Sequence, residues 1–159
     1  MMDDSQSTVV LVDDEPMVVT ALDSFLQLET SYNILTFTSA IEALEALDDE
    51  SIHVLVADYM MPDMDGISFF IKAREIRPAA TRILLTGYAD KQNAIRAINE
   101  AGLYYYLEKP WDNDQLGMVI RNGVERSRLF TELDRRVGAL DLANEELTAL
   151  RGRLIKAFM

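Results

Sequence analysis

The chain has no cysteine, so neither disulfides nor thiolate metal sites can stabilise it, and a reducing, cytoplasmic setting is the natural expectation. It is also poor in positive charge: 15 lysines and arginines face 27 aspartates and glutamates across 159 residues, a net charge of −12. That balance repels phosphate backbones, and direct nucleic-acid binding by this segment is not expected. Long apolar runs are missing as well; none approaches the roughly 18 residues needed to span a bilayer. Residues 1–7 carry neither the basic start nor the apolar stretch of a secretory signal, and no membrane association is expected. Histidine occurs once, at His53 inside an apolar run, where it reads as a core or strand-edge residue and not as a metal ligand or phosphate donor.

What is present suffices for a real core. Hydrophobic residues make up 49% of the chain, which argues against disorder. Short apolar runs rich in β-branched and aromatic residues predict strands at Thr8–Val12, Tyr32–Phe37, Ile52–Ala57, Arg82–Thr86 and Leu103–Leu107. Between them, Pro16–Leu28, Ala40–Leu47, Ile67–Ile76 and Lys91–Ala101 carry helical spacing. Pro16 suits a first helical turn, Ser39 and Glu42 form a candidate capping box, and Gly102 falls where a helix-ending glycine belongs. Five such repeats predict an α/β fold, a parallel sheet with helices on both faces. The unbroken runs VVLV and VLVA fit strands buried on both sides.

Beyond Trp111 the pattern changes. A fifth helix is expected to pack on the sheet through about Arg126. After it, Phe130, Val137, Asn144, Arg151 and Phe158 alternate with Leu133, Leu140, Leu147 and Leu154 in steps of three and four. These are the a and d positions of a heptad repeat, with leucine at every d. Asn144 at a favours a fixed register in a two-stranded coiled coil, and Arg136 could meet Asp141 of a second chain. At about 1.5 Å per residue, residues 127–158 extend near 48 Å, whereas a 120-residue domain has a radius of gyration of about 14 Å. The expected organisation is therefore a tail at 1–7, a domain at 8–126 and a helical extension at 127–159, homodimeric through 127–158. The competing arrangement is a single helix folded back on its own domain.

Ligands of open parallel sheets bind beyond the carboxyl ends of the strands. The residues expected there are Asp13 and Asp14 after the first strand, Asp58 after the third, Thr86 and Gly87 after the fourth, and Lys109 and Pro110 after the fifth. Three clustered carboxylates repel, by about 4 kcal/mol for a pair 4 Å apart at an effective dielectric near 20. A hard divalent cation such as Mg²⁺, which takes one or two carboxylates plus a phosphate, would offset this. A carboxylate nucleophile, a lysine and a hydroxyl then suit phosphoryl transfer through an aspartyl phosphate. Asp58 is the candidate nucleophile, because it follows a buried strand and precedes an open turn. Asp63 and Asp65 read as solvated turn residues, with Gly66 supplying positive φ. Glu15 reads as the start of a helix, where negative charge is favoured.

The stretches "LVDDE", "LVADYMMPDMDG", "LLTGYAD" and "YYYLEKPW", in this order and spacing, resemble the receiver domain of bacterial two-component response regulators over roughly residues 7–126. The resemblance implies a flavodoxin-like sheet of five strands in the order 2-1-3-4-5, with helices on both faces. It further implies that Asp58 accepts a phosphoryl group from the phosphohistidine of a sensor histidine kinase or phosphotransfer protein. Asp13, Asp14, Asp58 and the backbone carbonyl of Met60 would hold Mg²⁺, for which Mn²⁺ could substitute. Lys109 would pair with Asp58 or with the phosphoryl group. Thr86 and Tyr106 would act as the switch, and the Lys109–Pro110 bond would be cis. Met60 and Tyr88 would flank the approach of hydrolytic water and, being bulky, slow the loss of the phosphoryl group. Trp111, Tyr104 and Tyr105 read as packing for the face formed by the fourth helix, fifth strand and fifth helix.

On this reading the segment is not an enzyme beyond catalysing its own phosphorylation and dephosphorylation, and the coiled coil relays the change to an output module or partner. Two other classes compete. A scaffold that is never phosphorylated would have no need of the full set Asp13, Asp14, Asp58, Thr86 and Lys109. A haloacid-dehalogenase-type phosphatase would need Asp-x-Asp where this chain has Asp58-Tyr59-Met60. The run "LTGYAD…AINEAG-YYYLEKPWD" is similar to receivers joined to HD-GYP phosphodiesterase, diguanylate cyclase, phosphatase or hydrogenase-type transcriptional regulator modules. Neither a helix-turn-helix nor a basic patch follows the domain, and a truncated fragment or a stand-alone dimeric regulator is expected.

Overall fold

The computed structural model describes residues 7–87 and 91–157; Tyr88 and Phe158 lie outside them. Five strands alternate with five helices. In chain order they are β1 (Thr8–Val12), α1 (Pro16–Glu29), β2 (Asn33–Phe37), α2 (Ala40–Glu45), β3 (Ile52–Asp58), α3 (Gly66–Ile76), β4 (Thr81–Thr86), α4 (Lys91–Glu100), β5 (Tyr105–Glu108) and α5 (Asn113–Ala157). All pairings are parallel, and the order is β2-β1-β3-β4-β5, as the resemblance implied.

The period-two alternation of strand side chains builds a core on each face of the sheet. Val9, Leu11, Val54, Val56, Ile83 and Leu85 point to one face, where Leu22 and Leu26 of α1 and Leu116 and Ile120 of α5 cover them. Val10, Val12, Leu55, Ala57 and Leu84 point to the other, against Ala40 and Ala43 of α2 and Phe69, Phe70 and Ala73 of α3. Only the three central strands are buried along their whole length. The edge strands β2 and β5 keep exposed positions, since a single neighbour covers each of them.

Strand boundaries move by one or two residues from the sequence expectation. β3 runs on to include Asp58, which pairs in register with Leu85. β5 begins at Tyr105, later than predicted. The helix α2 ends at Glu45, with Ala46 as its C-cap. Gly102 has φ of 61° after α4, in the left-handed conformation expected of a helix-ending glycine. The Lys109–Pro110 bond is cis.

Two expectations are corrected in the β3–α3 turn. Gly66 does not have positive φ; among the described residues Gly102 alone does. Asp63 and Asp65 are not merely solvated, because each caps a helix. The Asp65 carboxylate accepts from the Ser68 N–H at 2.7 Å at the start of α3. Asp63 accepts from the Ser39 hydroxyl at 2.9 Å and the Ile41 N–H at 3.2 Å at the start of α2. Ser39 in turn accepts from the Glu42 N–H at 3.3 Å. The α2 cap is thus shared by Ser39 and Asp63 across 24 residues of sequence. These bonds hold the Asp63 carboxyl below its ordinary pKa against the opposing effect of burial.

The chain forms two compact units, Met1–Ser127 and Arg128–Met159. In the second, Phe130, Leu133, Val137, Leu140 and Leu147 are exposed on α5, and Arg136 pairs with Glu132 at 2.7 Å within the same chain.

Candidate functional site

Backbone bonds tie the carboxyl end of β1 to that of β2, and those of β3 and β5 to β4. The Asp13 N–H donates to Phe37 O at 3.2 Å, the Tyr59 N–H to Leu85 O at 3.0 Å, and the Lys109 N–H to Thr86 O at 2.8 Å. Each functional side chain therefore leaves from a latched strand end and not from a free loop.

Asp13 is fully buried. One of its oxygens, Oδ1, accepts from the Glu15 N–H at 2.9 Å, and the other, Oδ2, accepts from Lys109 Nζ at 3.0 Å. Glu15 itself is the N-cap of α1 without a side-chain capping bond, so its contribution here is its N–H. Asp58 is 6% exposed, and its Oδ1 lies 3.2 Å from Lys109 Nζ. The lysine thus bridges two carboxylates instead of serving Asp58 alone. Asp14 is half-buried, and its carboxylate makes no hydrogen bond or ion pair among the described residues. Ligand oxygens of Asp13, Asp14 and Asp58 all lie within 4.8 Å of one another.

The electrostatics follow from this crowding. Burial, and after it the charge of Asp13, push the Asp58 carboxyl up to about 6, although Lys109 pulls the other way. Burial alone would lower the Lys109 ammonium, but the hydrogen bond and charge of Asp13, with those of Asp58, hold it above the ordinary lysine value. One ammonium against three carboxylates leaves the cluster short of positive charge.

Thr86 is fully buried, and its Oγ1 has no hydrogen-bond partner among the described residues. A buried hydroxyl without a partner costs on the order of 1–3 kcal/mol, so its position at this edge points to a group it is meant to meet. Met60, two residues past Asp58, is 62% exposed. Tyr88 cannot be compared with it, lying outside the described residues. Tyr106 is half-buried against the core on the α2–α3 face, whereas Tyr104 and Trp111 pack on the opposite face. Tyr105, expected to be packing, is 41% exposed, and its hydroxyl accepts from Gln115 Nε2 at 3.3 Å.

Sequence reasoning missed Gly66 as part of the site. Its N–H donates to Tyr59 O at 2.9 Å. A Cβ at this position would collide with the Asp58 carbonyl oxygen and come within 2.8 Å of Leu84 Cδ1. Glycine is required there because α3 begins directly against the strand end that carries Asp58. The Asp65-Gly66 pair in the sequence signals a turn, but nothing in it signals this close approach.

A doubly wound sheet here gathers three carboxylates, a lysine and a buried threonine at its carboxyl edge, the arrangement of a signal receiver. The chain belongs to the response regulator receiver domain family, whose model matches residues 9–121. It is similar to the hydrogenase transcriptional regulatory protein HoxA of Cupriavidus necator, with 38% identity over 134 residues covering 84% of this chain and 27% of that protein. HoxA of Bradyrhizobium diazoefficiens is 34% identical, over 81% of this chain and 26% of its own length. The chain therefore spans about a quarter of the length of these curated relatives. Among solved structures, the signal receiver domain of an HD domain-containing protein from Pseudomonas fluorescens Pf-5 superposes with a TM-score of 0.76 at 29% identity, covering 83% of this chain and 96% of that one. No helix among the described residues is long and apolar enough to cross a membrane.

Proposed function

We propose that Asp58 accepts a phosphoryl group from the phosphohistidine of a sensor histidine kinase or phosphotransfer protein, in a reaction that depends on Mg²⁺. The observation that carries this is the meeting of Asp13, Asp14 and Asp58 within 4.8 Å, beside one lysine and a buried threonine hydroxyl. The donor set is all oxygen and short of positive charge, which fits a hard divalent cation. Asp13, Asp14, Asp58 and the Met60 carbonyl would hold it, with Asp14 the acid not already committed to protein donors. Bound there, Mg²⁺ or Mn²⁺ supplies the positive charge that offsets the carboxylates and the incoming phosphoryl oxygens.

The chain's own residues then divide the work. A carboxylate oxygen of Asp58 attacks phosphorus, the P–N bond to the donor imidazole breaks with its electron pair going to that nitrogen, and the ring, which carries a proton on its other nitrogen, leaves as neutral imidazole. Lys109 stays ionised and shifts from Asp58 toward the phosphoryl oxygens. Thr86 Oγ1 donates its O–H to one of them, and Tyr106 turns inward to fill the space that the threonine leaves. The segment catalyses its own phosphorylation and dephosphorylation and no other reaction. The exposed heptad face of α5 pairs with a second copy and passes the change to an output carried by a longer protein or a partner. The relatives' role in transcription suggests what that output does, in the cytoplasm.

Beryllofluoride, a mimic of a phosphoryl group on a carboxylate, tests the site directly. With Mg²⁺ present, amide shifts at Asp58, Thr86 and Tyr106 are expected, and none in Asp58→Asn. Unchanged spectra in the unsubstituted chain would contradict the proposal.

A further inference from the structure

Residues 59–65 form the loop from β3 to α3 and include Met60, whose carbonyl belongs to the cation site proposed above. Backbone bonds close the neck of this loop. The Tyr59 N–H donates to Leu85 O at 3.0 Å, and the Gly66 N–H returns to Tyr59 O at 2.9 Å. Between these latches Met61, 9% exposed, packs into the core on the α2–α3 face, with Met64 against it. Pro62 and Asp63 are exposed at the tip. Apolar packing holds the loop down, but it is non-directional and does not by itself fix where backbone carbonyls point.

A directional tie comes from Asp63. One carboxylate oxygen, Oδ2, accepts from the Ser39 hydroxyl at 2.9 Å and from the Ile41 N–H at 3.2 Å. Both donors sit at the start of α2, 24 and 22 residues earlier in the chain. Among the described residues, residues 60–64 make no other hydrogen bond to a different element. α2 is itself seated firmly, since Ala40 and Ala43 are fully buried in the core. It also has an N-cap of its own in Ser39, which accepts from the Glu42 N–H at 3.3 Å. What gains from the second acceptor is the loop. Pro62 locks its own φ and restricts Met61, so a fixed point at Asp63 is passed back along a stiff segment to Met60.

Granted the cation site proposed above, we infer that Asp63 is a positioning residue for it. By pinning the loop to α2 through Oδ2, Asp63 holds the backbone that carries the Met60 carbonyl in one conformation before the cation arrives. A ligand on a free loop has to be ordered on binding and loses affinity for it, whereas one on a tied loop is ordered already. The carboxylate acts through the two bonds it accepts and not through its charge. Such coupling is reciprocal: a cation that steadies the loop also steadies the Ser39 and Ile41 bonds, and with them the start of α2.

The test measures Mg²⁺ affinity of the full chain by amide NMR, with hydrogen exchange in α2 followed in the same samples. In the unsubstituted chain, saturating Mg²⁺ should slow exchange of the Ile41 amide. Asp63→Ala removes both bonds and should raise the Mg²⁺ Kd about tenfold, the scale on which losing a group that orients a ligand is felt. It should also abolish the response of α2 to the cation. Asp63→Asn should restore both properties, because its single carbonyl oxygen can accept both bonds although the charge is gone. Glu45→Gly, an exposed change that weakens α2 without touching the loop, should leave the Kd unchanged. Equal affinity in Asp63→Ala and the parent would overturn the positioning role. So would an Asp63→Asn chain as weak as Asp63→Ala, which would reduce the residue to one more negative charge, or an equal loss in Glu45→Gly. No Mg²⁺ binding by the unsubstituted chain would instead remove the cation site itself, and the role of Asp63 with it.

Discussion

Asp58 concentrates the conflict on which this site runs. Its carboxyl is nearly buried and faces Asp13, and its pKa stands at about 6 against an ordinary 3.8. A raised acid binds its proton more tightly in the folded state than in the unfolded one. The native state is therefore most favoured below the unfolded pKa and loses stability as pH climbs from about 4 to about 6. Removing the charge should relieve that loss. Without metal at pH 7, Asp58→Asn is expected to unfold at a higher temperature, by on the order of 1–2 kcal/mol once water at the open edge is allowed for. The gap should close by pH 4, and Mg²⁺ should narrow it at pH 7 by stabilising the ionised acid. Thermal melts at three pH values, with and without Mg²⁺, measure it; a less stable Asp58→Asn at pH 7 would contradict the repulsion described here. Two residues along lies exposed Met60, which we propose screens the same carboxylate from water. Met60→Asn should hasten loss of the phosphoryl group by about threefold to tenfold, a barrier change of up to about 1.4 kcal/mol. Tyr88→Ala should act in the same direction. Loss of radiolabel over time reads both, and unchanged rates would remove the screening role.

Among the elements, α3 is placed by one contact that a Cβ would abolish. Gly66→Ala drives a methyl into the Asp58 carbonyl and Leu84, and should destabilise the fold by about 2 kcal/mol or more. Gly117 offers the contrast, since a Cβ there meets nothing nearer than Phe25 Cζ at 3.5 Å. Gly117→Ala should be neutral or stabilising by up to about 1 kcal/mol through helix propensity. Urea unfolding of the pair checks the distinction, and equal losses would refute it. This contrast also marks what the chain reveals before folding. Apolar runs identify β1, β3 and β4 because strands buried on both faces leave unbroken signatures, and the acids that end β1 and β3 follow directly. The edge strands are half-exposed, and their boundaries drifted at Tyr32 and Leu103. Helix caps supplied from afar, such as Asp63 on α2, have no local signature. Neither does the close backbone approach at Gly66, nor the sharing of Lys109 between Asp13 and Asp58, since each depends on distances between segments far apart in sequence.

At the scale of the whole molecule, the heptad of α5 is the part of the chain whose residues call for another surface. Phe130, Leu133, Val137, Leu140 and Leu147 remain exposed along Arg128–Met159, and burying such side chains is worth about 1.5–3 kcal/mol each. The full chain should therefore sediment as a dimer. Leu140→Asp with Leu147→Asp should yield a monomer whose far-ultraviolet spectrum retains the α/β signature. A monomeric parent chain in light scattering would remove the coiled coil from the account.

At the centre of the proposed mechanism, Asp58 is phosphorylated with the help of the acids around it. Intact-mass measurement after incubation with Mg²⁺ and acetyl phosphate tests it most directly. One phosphoryl group should be gained, lost on adding chelator beforehand, and absent from Asp58→Asn. No gain in the unsubstituted chain, or the same gain in Asp58→Asn, would contradict it.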